Sequence, residues 1–350
     1  MFLRPYVPTS MRELLQKVLA LPTAPLHEHA VIAFVKEFAA QQGLVCRADR
    51  FGNLLLHNRA RGKIAMIAMA HMDHPGVEVI RSQGRVVQAW IRGGLNVQQI
   101  ERAAFRFFLR DGREIVGRAH GRLKKNVLKI SVAESVPLQT FGVLDLPAVR
   151  LRGDRVEARA IDNLAGTALV LAWLQSMKNA RTRVMGVLTR AEEIGFCGGV
   201  HLVKTRALPR DVPIVVLETS AAAIARVTIG AGPVLRVGDR LTTFDPRIDC
   251  WMQRVALQLA KADSKFACQR ALMIGGAMES SLYVMDGLMV GAIALPLANY
   301  HNQGRRAPAL ERISLRDWQR AHQLLCALAR GPSVESSVAR LRKFLMTREK

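Results

Sequence analysis

Residues 64–73 read IAMIAMAHMD: seven apolar residues without a polar break, then His71, then Asp73 two places on. A short, continuous apolar run predicts a strand buried on both faces, as in the middle of a parallel sheet. Sheets of that kind present their functional groups beyond the carboxyl ends of their strands. His71 stands at such an end.

Working outward, residues 11–21 and 27–42 carry apolar side chains at helical spacing, with Pro22 and Pro25 between them. Gly43 follows as a helix-ending glycine. Strands are expected at 44–48 and 53–57. From Glu78 to Glu157 the pattern changes to short alternating segments (VVQAWI, AAFRFFLRDGREIVGRA, VLKISVA, RVEARA), and Asp111-Gly112 reads as a hairpin turn. Residues 78–157 are therefore expected to form an inserted, β-barrel-like domain, with 1–77 and 158–350 forming the main domain.

After that, helices are expected at 164–178, 248–262, 314–329 (capped by Ser314) and 333–346. Strands are expected at 183–190, 212–217, 266–269 and 288–295. The fold class that follows is α/β: a mixed, largely parallel sheet flanked by helices on both faces, with a β-rich insertion.

Composition narrows the function. Half of the 350 residues are hydrophobic but only 5% are aromatic, so aliphatic residues must fill the core. Lys and Arg number 51 against 28 Asp and Glu, a net charge of +23. Such a surface attracts anions. The basic residues are scattered, however. The clusters RLKK (122–125) and RLRK (340–343) lack the aromatic neighbours of a nucleic-acid site, so a solvated basic face is expected, without a nucleic-acid partner. The longest apolar runs, 64–70 and 165–174, are too short to cross a bilayer, so no membrane partner is expected. The opening MFLRPYVPTSMRELL has no apolar signal core. Five cysteines, at 46, 197, 250, 268 and 326, form no CxxC pair, so buried free thiols and a cytoplasmic location are expected.

The strand-end rule collects further residues. VMGVLTR leads into Glu192-Glu193, VPIVVL ends at Glu218, MVGAIALPL leads to His301, and RVEARAI leads to Asp162. Each has a plainer reading alone: a helix cap for Asp162, solvated glutamates for 192 and 193, an arginine partner for Glu218, a packed loop histidine for His301. Together, two imidazoles and three carboxylates suit zinc, cobalt or manganese, whereas calcium and magnesium avoid paired imidazoles. If Asp162 bridges two ions about 3.5–4 Å apart, each ion takes two further ligands and keeps an open position. Glu192 then serves as general base. Asp73, on the same side of an extended segment as His71, orients that imidazole.

These residues carry a resemblance. The chain resembles the M42 family of dinuclear metallo-aminopeptidases, within the wider metallopeptidase group that includes M20 and M28. HEHAVIAFVKEFAAQQG and DRFGN look like the family's opening helix and strand turn. AHMDHPGVEV, ARAIDNLAGTALVL, TRAEEIGFCGG, VVLETS and LPLANYHN are similar to its ligand-bearing segments, in order. The resemblance implies one ion on His71, Asp162 and Glu218 and another on Asp162, Glu193 and His301, with Glu192 as base and Asp73 behind His71. It implies an aminopeptidase acting on peptides, zinc as the first candidate ion, and a homo-oligomer.

Four departures mark a divergent subgroup. Glu218 stands where aspartate is frequent, Asn163-Leu164 replaces Asp-Arg and removes a polar contact, His74 replaces a glutamate, and GGAMESS (275–281) replaces Gly-Gly-Thr-Asp. Glu279 either lines the substrate pocket or starts a helix. Two rival readings use the same scaffold: an amidohydrolase or deacylase of a small N-acyl substrate, and a non-catalytic basic binding protein.

Overall fold

A computed structural model describes residues 10–347. The first nine residues of the N-terminal stretch read above lie outside the described residues.

The chain opens with α1 (Met11–Ala20), α2 (His29–Gln42), β1 (Val45–Ala48), β2 (Leu54–His57) and β3 (Ile64–His71). Next come β4 (Gly76–Gln83), β5 (Val86–Arg92), α3 (Val97–Ile100), β6 (Ala104–Phe108), β7 (Glu114–Lys124), β8 (Val127–Val132) and β9 (Phe141–Leu144). The chain continues through β10 (Val149–Arg152), β11 (Arg155–Ala158), α4 (Ile161–Met177), β12 (Arg183–Thr189), α5 (Cys197–Lys204), β13 (Ile214–Ala221) and α6 (Ala222–Ala225). It closes with β14 (Val234–Gly238), α7 (Pro246–Ala262), β15 (Gln269–Leu272), α8 (Glu279–Met285), β16 (Val290–Leu297), a 3-10 turn (Tyr300–Asn302), β17 (Glu311–Ser314), α9 (Leu315–Arg330) and α10 (Val334–Met346).

The main sheet has the order β1-β2-β12-β3-β13-β16-β14-β15. Its centre, β12, β3, β13 and β16, is parallel, while β2 and β14 run antiparallel to their inner neighbours. The sheet is mixed and largely parallel, as the sequence predicts. β3 shows why its apolar run is unbroken. Met66, Ala68 and Ala70 enter the core beneath α1, α4 and α9, while Ile67 and Met69 enter the core beneath α5 and α8. α4 is apolar all round and almost wholly buried, so it serves as the central helix against β3, β12 and β13. Gly43 ends α2 at φ 68°, and the Ser314 hydroxyl accepts from Asp317 N (3.2 Å) to cap α9.

The insertion is a closed barrel of order β4-β5-β8-β7-β6-β9. Val77, Phe105, Phe107, Ile115, Leu128 and Ile130 fill it. Gly112, at φ +86°, turns the chain between β6 and β7.

Three readings are corrected. Residues 149–157 are expected in the insertion, but β10 pairs with β11 and β11 with β17 in a separate three-stranded sheet, because their partner lies far along the chain. The strand expected at 266–269 runs instead from Gln269, where it pairs with β14, a strand that Arg236 hides from an apolar-run search. The five thiols are free but half-buried rather than buried. Among the described residues, no helix is long and apolar enough to cross a membrane.

Candidate metal centre

The strand-end residues meet. His71 is the last residue of β3, and Glu218 lies on the adjacent parallel strand β13. Glu192 and Glu193 follow β12, His301 lies in the turn after β16, and Asp162 opens α4 after β11. Ligand atoms of His71, Asp162 and Glu218 all lie within 4.8 Å of one another, as do those of Asp162, Glu193 and His301. Asp162 belongs to both sets through different oxygens: Oδ1 is 3.5 Å from His71 Nε2, and Oδ2 is 3.5 Å from His301 Nε2. Glu218 Oε2 is 3.5 Å from His71 Nε2, and Glu193 Oε1 is 3.0 Å from His301 Nε2. Glu192 Oε2 faces the same space, 4.0 Å from His71 Nε2.

The electrostatics call for positive charge. Burial works against a charged His71, yet Glu192, Glu218, Asp162 and Asp73 outweigh it and hold its proton far above the usual range. Burial likewise opposes a charged His301, and Glu193 and Asp162 overcome it. Glu192 takes up a proton more readily than a free carboxyl, first through burial, with Glu218, Glu193 and Asp73 adding to the rise. Asp162 is drawn below its ordinary range by His301 and His71, against its burial. No lysine or arginine forms an ion pair with any of these groups among the described residues. Asp162 Oδ1 and His301 Nε2 are buried without a hydrogen-bond partner, though Glu193 Oε1 lies near His301 Nε2 as an ion pair. Unpartnered buried acceptors beside an anionic cluster fit divalent cations, and mixed imidazole and carboxylate donors fit zinc, cobalt or manganese.

A second set of residues aims the first. Asp73 was expected to orient His71 through its side chain. Both its backbone oxygen, 3.1 Å from His71 Nδ1, and its carboxylate, 3.4 Å away, face that nitrogen. The Asp73 carboxylate also accepts from Glu192 N and Glu193 N, both at 3.0 Å, because the β12 loop brings two free amides over it. That loop is pinned again by Glu28, which accepts from Ala191 N (3.0 Å) and pairs with Arg190 (2.7 Å). Glu311 Oε2 accepts from Ile161 N (2.7 Å) and Asp162 N (2.9 Å), and its Oε1 accepts from His301 N (2.8 Å). One buried carboxylate thus spaces Asp162 from His301.

Leu164 is packed in the hydrophobic core and offers no polar group, while Asn163 makes contacts of its own. Asn163 Nδ2 donates to Leu217 O (2.8 Å) and to the Glu218 carboxylate. His74 bridges Asp162 O and Asn302 Oδ1. Glu279 opens α8 and is buried, with Oε1 accepting from Thr189 (2.9 Å) and Oε2 from Tyr283 (2.9 Å). The sequence offered no signal for Glu311, and only proximity to His71 for His74.

A largely parallel sheet with clustered imidazoles and carboxylates at its carboxyl edge defines the class: a hydrolase scaffold suited to metal. Residues 124–324, more than half of the chain, match the profile of the family described as M42 glutamyl aminopeptidase. The chain belongs to the M42 family and is a peptidase of the aminopeptidase type. A curated relative from Acetivibrio thermocellus, named "Putative aminopeptidase", is 25% identical over 321 residues, 85% of this chain and 90% of its own. The fold matches a TET aminopeptidase from a marine-sediment Thaumarchaeota archaeon with TM-score 0.81 at 18% identity, over 94% of this chain and 99% of that one. It also matches the Pyrococcus horikoshii TET1 peptidase, which can assemble into a tetrahedron or a large octahedral shell, with TM-score 0.77 at 19% identity, over 91% and 99%.

Proposed function

We propose that this chain removes amino-terminal residues with acidic side chains from peptides, using two divalent ions held by His71, Asp162 and Glu218 and by Asp162, Glu193 and His301. The observation that carries this reading is that Asp162 turns one oxygen to each ligand set. The bound ions supply Lewis acidity toward the scissile carbonyl and a lowered pKa for the attacking water. Glu192 accepts the proton of that water and returns it to the leaving amine. Asp73 keeps Glu192 in place through its amide. Burial excludes bulk water from the cluster and strengthens each of these interactions.

Side-chain preference follows from the neighbouring cleft, which Glu218, Ser220, Ile224, Arg236, Met273 and Tyr300 line. Arg236 is buried there, donating to Ser220 Oγ (2.7 Å), Met273 O (3.1 Å) and Gly238 O (3.2 Å). Among the described residues no carboxylate pairs with it. Glu218 and Asp239 favour its charge from beyond ion-pair distance, while its hydrogen bonds go to neutral acceptors, an arrangement that favours a carboxylate on the substrate. The family's description as glutamyl aminopeptidase supports the same preference. The net charge of +23 adds long-range attraction for acidic peptides.

The test compares glutamyl and leucyl anilides with added zinc, cobalt or manganese, in wild type and Arg236→Met. Wild type is expected to favour the glutamyl substrate, and the variant to lose roughly tenfold or more of that preference. Equal preference in both proteins refutes the acidic reading. Hydrolysis of N-acyl amino acids in place of anilides would replace it with a deacylase. Assembly into a homo-oligomer and a cytoplasmic location complete the reading, supported by the TET1 assemblies and by five unpaired thiols.

A further inference from the structure

Four of the five proposed ligands are aimed from within the main domain. His71 Nδ1 meets Asp73 O in its own segment, Asp162 N and Glu193 N are held by Glu311 and Asp73, and Asn163 donates to the Glu218 carboxylate. His301 differs. Its Nδ1 lies 3.0 Å from the carbonyl oxygen of Gly94, which belongs to the stretch between β5 and α3 of the inserted barrel. A proton held on Nδ1 by that carbonyl leaves Nε2 free to face Asp162 and Glu193. Five residues on, Gln99 Nε2 donates to Gly304 O (2.8 Å), just past His301. Two contacts from one barrel segment therefore fix the turn that carries this ligand.

Gly94 is also the glycine, among the described residues, from which a minimal change reaches His301. A Cβ there would lie 2.6 Å from His301 Nδ1 and 2.8 Å from Cε1, and its third-nearest neighbour, Cγ of the same ring, is 3.9 Å away. Gly94 does not have the left-handed backbone that resists side chains, since it is absent from the positive-φ glycines. An alanine there is tolerated by its own backbone and pushes directly on the imidazole.

We propose that the inserted barrel sets the affinity of the His301 metal position, through Gly94 and Gln99, and leaves the His71 position untouched. The two positions then differ in affinity although they share Asp162, and a displacement of the barrel releases the ion at His301 first. Gly94 and Gln99 are positioning residues: they act on the metal only through His301. The inference rests on the dinuclear reading proposed above.

Zinc stoichiometry and stepwise affinities are measured by calorimetry on folded wild type, Gly94→Ala and Gln99→Ala, with His301→Ala as reference. Wild type is expected to bind about two ions per chain. Gly94→Ala is expected to weaken one binding step by about 10–100-fold with the other unchanged, mimicking His301→Ala, and Gln99→Ala to weaken the same step less. The proposal is overturned if folded Gly94→Ala keeps both steps, or if both weaken together. Should Gly94→Ala not fold, Gln99→Ala decides alone: an unchanged weaker step overturns the proposal. A wild type that binds one ion or none refutes the dinuclear reading itself, and this inference with it.

Discussion

The two halves of the cluster are built from different material. His71 and Glu218 stand on adjacent parallel strands, β3 and β13, and each is held in a ladder, His71 opposite Thr189 of β12 and Glu218 opposite Ala294 of β16. Glu193 and His301 stand in loops, beside backbone in the left-handed region: Ala191 at φ 53°, Asn299 at 58°, His301 at 52° and Asn302 at 59°. Such conformations are costly for residues other than glycine and persist only where the surroundings enforce them. The enforcement is visible. Asp73, Glu28 and Glu311 capture loop amides, and Gly94 fixes the ring of His301. A strand end orients a ligand at little extra cost, whereas a loop ligand needs dedicated carboxylates and a neighbouring domain.

The largest effect expected is at the residue common to both halves. Asp162→Ala should take metal content, read by elemental analysis, from about two ions per chain toward none and abolish hydrolysis. Retention of one ion would show that the halves do not share Asp162. Next, Glu192→Gln should lower kcat by about 10²–10⁴-fold while both ions stay bound, because it removes a proton acceptor and no ligand. Lost metal in that variant would make Glu192 a ligand. Third, a graded chelator titration of wild type should release one ion at roughly tenfold lower chelator than the other. Simultaneous release would erase the distinction between the strand-borne and loop-borne halves.

The smallest effect concerns Glu279, behind the strand-borne half. Burial raises its carboxyl from 4.5 to about 7, against the hydrogen bonds from Thr189 and Tyr283. A raised carboxyl destabilises the fold only when ionised. Its cost is therefore absent below pH 4.5, grows as pH climbs, and is complete above about 7. Glu279→Gln should remove that decline, worth roughly 1–3 kcal/mol or a few degrees, when melting temperatures of variant and wild type are compared at pH 5 and pH 8. Parallel declines in both would assign the slope elsewhere.

What was legible in the sequence divides along the same line. Strands buried on both faces announce themselves as unbroken apolar runs, so the centre of the sheet and the residues at its carboxyl edge could be read directly. The groups that support the loops could not. Glu311 acts through backbone amides 149 and 150 residues away, and Gly94 through a carbonyl 207 residues from its partner. Backbone carbonyls and amides leave no mark on a sequence. The place of Asp73 beside His71 is legible, but its hold on the Glu192 and Glu193 amides is not, because alternation along a strand predicts which side a carboxylate takes and not which amides reach it. β10 and β11 looked like barrel strands because local alternation is the same whichever sheet a strand joins.

Closure of the barrel carries one more consequence. A wall of six strands in which β4 pairs with β9 leaves no strand wholly at an edge. Strand-by-strand docking of a second copy is discouraged there, along with the aggregation that open edges invite. Copies that meet across it rely chiefly on side-chain shape and charge. Substitutions on its outer surface can therefore redirect how the chain associates without unpicking a single rung of its hydrogen bonding.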